Sequence, residues 1–164
     1  MLRIVVPGLA ALALLACVQR PALVIETSTG DVVRLEAWTA RLSSSSGVSG
    51  TATLAPGGTH RETLATIAIT GAQPRAVHAW YAHVGACGRD IGILIGPQAY
   101  APLVADEQGN AHSSVTLPFT VPTNGTYFVS LRAGASEGSG VIACGNLSKE
   151  SPATGPAIAE ARAP

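Results

Sequence analysis

The sequence has 164 residues, 12% of them charged, with ten basic and ten acidic side chains and no net charge. So sparse and even a charge provides no basic surface to neutralise phosphates, which argues against a nucleic-acid partner, an acidic tail and a polybasic membrane patch alike. Hydrophobic residues at 47% suffice for one packed domain, and 18 Gly and 11 Pro beside abundant Thr, Val and Ser predict short strands and turns rather than long amphipathic helices.

The chain opens MLRIVVPGLAALALLAC. Arg3 is a minimal positive start, and Ile4 to Ala16 is an apolar run of 13 residues. A bilayer span needs about 20 residues, so the run suits a signal peptide over residues 1–16 rather than a membrane helix. It ends Leu14-Leu15-Ala16-Cys17, which resembles the bacterial lipobox. That junction implies lipidation of Cys17, export, and anchoring to the bacterial membrane facing the periplasm or the cell exterior. Three cysteines in an exported chain require an explanation. Lipidating Cys17 leaves Cys87 and Cys144 as an even pair, expected to form a disulfide in an oxidising compartment.

Residues 17–32 read as a tether. From Val33 onward, strand and turn signals alternate. Val33, Leu35 and Ala37 share one parity, and Ser43 to Gly47 is a turn. Val48, Gly50, Ala52 and Leu54 alternate with polar residues at period two. Pro56-Gly57-Gly58-Thr59 turns the chain into a strand with Ala65, Ile67 and Ile69 on its apolar face. Gln73-Pro74 is a break, and Asp106 to Asn110 reads as a hairpin loop. Val115, Leu117, Phe119 and Val121 form a further one-sided strand. The turn Pro122 to Gly125 leads to Tyr127, Val129 and Leu131 as the next apolar face. Val141 to Ala143 predicts a short strand into Cys144. Short, regularly spaced strands predict an all-β domain over residues 33–148, a Greek-key sandwich or barrel. The Ala- and Pro-rich residues 149–164 read as a disordered tail.

Gly134 to Gly138 matches the GxSxG string. A nucleophile elbow needs a helix directly after the Ser, and here Gly138-Ser139-Gly140 follows, so the segment reads as a loop. The glycosylation patterns at Asn124 and Asn146 carry no weight in a bacterial lipoprotein.

The segment Val77 to Cys87 (VHAWYAHVGAC), paired with Ala143-Cys144-Gly145, resembles the copper/zinc superoxide dismutase superfamily and its SOD-like and CHRD-like bacterial relatives. Gly47 to Ala52, Leu103 to Ala111 and Gly125 to Arg132 resemble other strands of that family. The likeness spans residues 33–148. It implies an SOD-like Greek-key fold and a Cys87–Cys144 disulfide. It also implies a structural role for His78 and a copper-ligand position at His83. The other positions depart from the pattern. Tyr81 and Arg132 stand where two further copper-ligand histidines belong, and Val141 replaces the substrate-guiding Arg. Gly88 to Gly96, matching the zinc loop, has no His and one acid, Asp90.

Parity places Trp80 and Ala82 toward the core, so Tyr81 and His83 face outward, joined there by Arg132. A guanidinium cannot lose its proton to bind a cation, and copper sites need several N or S donors. His83 accordingly reads as a surface or rim histidine whose replacement by Ala leaves folding largely intact. His60 and His112 read as solvated, Asp90, Asp106 and Glu107 as loop acids, and Trp38 and Trp80 as packing residues. The functional expectation is a lipid-anchored, non-catalytic envelope protein with no cofactor, acting on an envelope-protein or cell-wall partner. The alternative is a copper-binding protein or weak superoxide dismutase that uses His83.

Overall fold

The computed structural model describes residues 24–26 and 32–149, with side chains from Leu35 onward. The predicted leader, Cys17, most of the tether and the tail beyond Lys149 lie outside the described residues.

The protein is all-β. Strands β1 (Val24–Glu26) and β2 (Val32–Arg34) form a small ribbon of their own. The main sheet contains β3 (Trp38–Ser43), β4 (Ser49–Pro56), β5 (Thr63–Thr70), β7 (Trp80–Ala86), β8 (Arg89–Ile93), β10 (Ala111–Leu117), β11 (Tyr127–Arg132), β12 (Val141–Asn146) and β13 (Ser148–Lys149). Two short strands, β6 (Val77–His78) and β9 (Leu103–Val104), pair with each other, and Pro97–Ala99 forms a single 3₁₀ turn. The main order is β10-β5-β4-β3-β12-β11-β7-β8, antiparallel throughout, with β13 beside β3. It curls into a half-barrel. Consecutive strands β3, β4 and β5 are neighbours, whereas the chain crosses from β5 to β7 at the far end and again from β10 to β11. These long crossings give a Greek-key connectivity.

The alternation in β5 is clean: Thr63, Ala65, Ile67 and Ile69 are buried while Leu64, Ala68 and Thr70 are exposed. With Ala52, Leu54, Trp80, Ala82, Val129 and Leu131 they line the concave core. Trp38 donates its indole N–H to the Pro122 carbonyl at 2.7 Å, and Trp80 donates to the Ala101 carbonyl at 2.9 Å. Both indoles therefore pack without leaving a buried donor unpaired.

The strand predicted to run through Phe119 and Val121 ends at Leu117, and three further local expectations differ from the structure. Val33, Leu35 and Ala37 do not share a strand, because β2 ends at Arg34 and β3 starts at Trp38. Asp106 to Asn110 is not a hairpin loop, since the preceding β9 pairs with β6 and not with β10. The loop is instead closed by Asp106 itself: Oδ1 accepts the N–H groups of Gln108 and Asn110 at 2.9 and 2.8 Å. Those bonds hold its carboxyl below the usual range. Third, the strand after Val141 runs on through Cys144 to Asn146.

Candidate functional site

On β7 and β11 both faces are covered. All of Trp80, Tyr81, Ala82 and His83 are buried, as are Phe128, Val129, Ser130 and Leu131. Over Tyr81 the cover includes the Tyr100 ring, 5.5 Å away; over His83, Phe128 and Ser130 it is the β7–β8 hairpin. Its tip, Cys87-Gly88, is bonded through Cys87 to Cys144 on β12, with Cα atoms 6.0 Å apart. β12 lies two strands from β7, roughly 10 Å away at ordinary strand spacing. The tip must therefore fold back across the outer face of β11 to make that bond. The Cys87 N–H adds a second tie, to Asn146 Oδ1 at 2.8 Å.

Two glycines permit the fold-back. Gly88 occupies the turn with φ +81°. Gly85 sits at a register shift with φ +111°, where a Cβ would collide with the Arg89 carbonyl.

The covered outer face carries Tyr81 opposite Ser130 and His83 opposite Phe128, with Ser130 opposite Cys144 one strand on. Tyr81, His83 and Arg132 do share this face. The Tyr81 and His83 rings are 6.2 Å apart, and the Arg132 guanidinium lies 5.8 Å from the Tyr81 ring centre. Two positions differ from the sequence reading. His83 is not a rim histidine: it has 0% exposure. Asp90 is not a free loop acid, since it lies on β8 and reaches His83. The period-two pattern placed His83 on the outer face correctly but contained no sign of what covers that face.

His83 is held on three sides. Its Nδ1 lies 3.0 Å from Asp90 Oδ1 and its Nε2 lies 2.8 Å from Ser130 Oγ. Its ring stacks on Phe128 at 4.5 Å and 14°. A carboxylate only accepts, so Nδ1–H donates to Asp90, and the lone pair on Nε2 receives the Ser130 hydroxyl proton. Burial pushes the imidazole below its usual pKa of 6.5; Asp90 opposes that shift and the Arg132 charge adds to it. The neutral ring is thus the resting form at neutral pH.

His78 is buried and donates Nδ1–H to the Arg132 carbonyl at 2.8 Å. Arg132 is sparsely partnered. Nη1 reaches the Ser139 carbonyl at 3.4 Å, while Nε–H is buried with no acceptor. Such a group costs about 1–3 kcal/mol. Among the described residues Arg132 makes no ion pair. His60 and His112 are exposed. Gly134 to Gly138 is an irregular loop with no helix after Ser136.

Beside this network opens a cavity of about 430 Å³ lined by Asp90, Phe128, Ser130, Arg132, Val141 and the Cys144 end of the disulfide. Ser130 and Asp90 are the residues that sequence reasoning missed as partners of His83. The available signals were weak: Ser130 is a small polar residue in an apolar strand, and Asp90 is the sole acid in Gly88 to Gly96.

The donor set does not suit copper. Both nitrogens of His83 are engaged by protein groups, and the neighbouring positions offer a phenol and a fixed cation. Among the described residues, no three His, Cys, Asp or Glu side chains converge on one point.

No protein-family model and no curated protein sequence matches the chain.

Proposed function

We propose that the chain is an SOD-like domain of a lipid-anchored envelope protein, in which the face that carries metal in the enzymes is instead a non-catalytic binding surface. The observation that carries this reading is the engagement of His83, Nδ1 by Asp90 and Nε2 by Ser130. A metal ion could reach the imidazole only by displacing one of these bonds, beside a guanidinium that repels it. The Cys87–Cys144 disulfide supports an oxidising compartment, in keeping with the lipobox-like junction at Cys17. Elemental analysis of copper-loaded, dialysed protein tests the metal half of the proposal. The expected result is no stoichiometric metal; near one copper or zinc per chain overturns it in favour of a copper-binding protein or weak dismutase. Detergent phase partitioning tests the anchor. Wild-type protein should follow the detergent and Cys17→Ser should not.

A second reading rests on the Ser130–His83–Asp90 row, whose spacings of 2.8 and 3.0 Å suit a serine nucleophile, its base and the acid that orients it. Against it, Ser130 has 0% exposure and sits mid-strand rather than on a turn that presents its hydroxyl. Labelling of Ser130 by a fluorophosphonate probe, lost in Ser130→Ala, would establish this reading over the first.

A further inference from the structure

The cavity beside His83 is lined by one cation, Arg132, and one anion, Asp90, which form no ion pair with each other among the described residues; the Glu137 carboxylate lies outside the lining but close enough for its charge to act on Tyr81 and His83. Among the described residues Arg132 forms no ion pair, and the acid in the same cavity, Asp90, pairs with His83 instead. Asp90 has Oδ1 committed to His83, whereas Oδ2 has no hydrogen bond among the described residues, and its side chain is 46% exposed. Arg132 lines the cavity, and its buried Nε–H has no acceptor among the described residues. Phe128, Val141 and the fully buried Ser130 also belong to the lining.

From this arrangement we infer that the cavity binds a free α-amino acid with an apolar side chain, its carboxylate on Arg132, its ammonium on Asp90 and its side chain against Phe128 and Val141. This rests on the reading of the outer face as a metal-free binding surface and specifies what it binds. The charge pattern selects the class. A simple carboxylate would gain Arg132 but meet the negative charge of Asp90. A simple amine would gain Asp90 but meet the guanidinium. A ligand that carries both charges gains a charge-assisted contact from each group and is repelled by neither. The volume of about 430 Å³ falls within the range of small-molecule sites, roughly 300–1,000 Å³.

Three ligands presented to the unaltered full chain test the inference without relying on any variant. L-phenylalanine should bind in equilibrium dialysis. N-acetyl-L-phenylalanine lacks the ammonium and L-phenylalaninamide lacks the carboxylate, and each should bind roughly 10-fold or more weakly, the value of one charge-assisted contact. Arg132→Gln should weaken phenylalanine by a similar factor. So should Asp90→Asn, whose amide oxygen can still accept from His83, so the network beneath is kept. No phenylalanine binding at millimolar concentration overturns the inference, as does equal binding of the three ligands. A protein that binds no phenylalanine and no copper overturns this inference alone; one that holds a copper per chain overturns the metal-free reading on which it rests.

Discussion

The β4–β5 pair and the β7–β11 pair belong to the same antiparallel sheet, yet they treat their outer faces in opposite ways. On β4 and β5 the outward residues Thr51 and Ala68 stand opposite each other in solvent, and the sheet is buried on its concave side alone. On β7 and β11 the corresponding outward residues, His83, Phe128 and Ser130, are as buried as the core residues behind them. Nothing in the strands themselves causes this. The difference is a single hairpin returned across the sheet and bonded to β12. One covalent tie thereby converts a solvated face into a second, polar interior. Polar groups enclosed in this way must find partners, and the buried His83 finds them in the buried Ser130 and in Asp90 at the edge of the cover.

Removing that tie should have the largest effect on the contrast. The double variant Cys87→Ser, Cys144→Ser opens a loop of sequence separation 57, which corresponds to about 4 kcal/mol of lost stability in the chain-entropy treatment. Amide hydrogen exchange should accelerate over β8 and the outer edge of β7 while β4 and β5 stay protected. Uniform acceleration across both regions would show that the hairpin is not a separate cover.

His83→Ala follows. It removes a fully buried ring from Phe128 and strips Asp90 and Ser130 of their shared partner, a loss of about 2–4 kcal/mol in chemical denaturation. The tolerance expected of a rim histidine does not apply to this position, because it is enclosed. Gly85→Ala forces a side chain into positive φ and against the Arg89 carbonyl, costing about 1–3 kcal/mol and loosening the hairpin with the disulfide still intact.

Acid sharpens the comparison more gently. The folded pKa of His83 lies below its ordinary 6.5, so between those two values the unfolded chain binds more protons than the folded one. Stability should be complete above pH 6.5 and decline as the pH falls from there through the folded pKa. His83→Gln should remove this component of the slope. At the small end, Thr51→Ala on the solvated outer face should change stability by no more than about 0.5 kcal/mol. A larger loss would mean that this face is covered as well.

The all-β class, the strands around Ala52, Ile67, Leu117 and Val129, and the inward direction of Trp80 were legible in the sequence because alternation at period two is a local property. So was the sharing of one face by Tyr81, His83 and Arg132, since strand parity fixes on which side a residue lies. The order of the sheet, the fold-back of the β7–β8 hairpin and the engagement of His83 by Ser130 and Asp90 were decided by tertiary structure alone. Parity assigns a side chain to a face but cannot say whether water or another segment lies against it. The pairing of Cys87 with Cys144 was expected from the cysteine count and the family resemblance and is present; what the sequence did not contain is the path the hairpin takes across β11 to make it. Through it Asp90 became the partner of a buried imidazole, and Arg132 was left lining a cavity with no ion pair among the described residues.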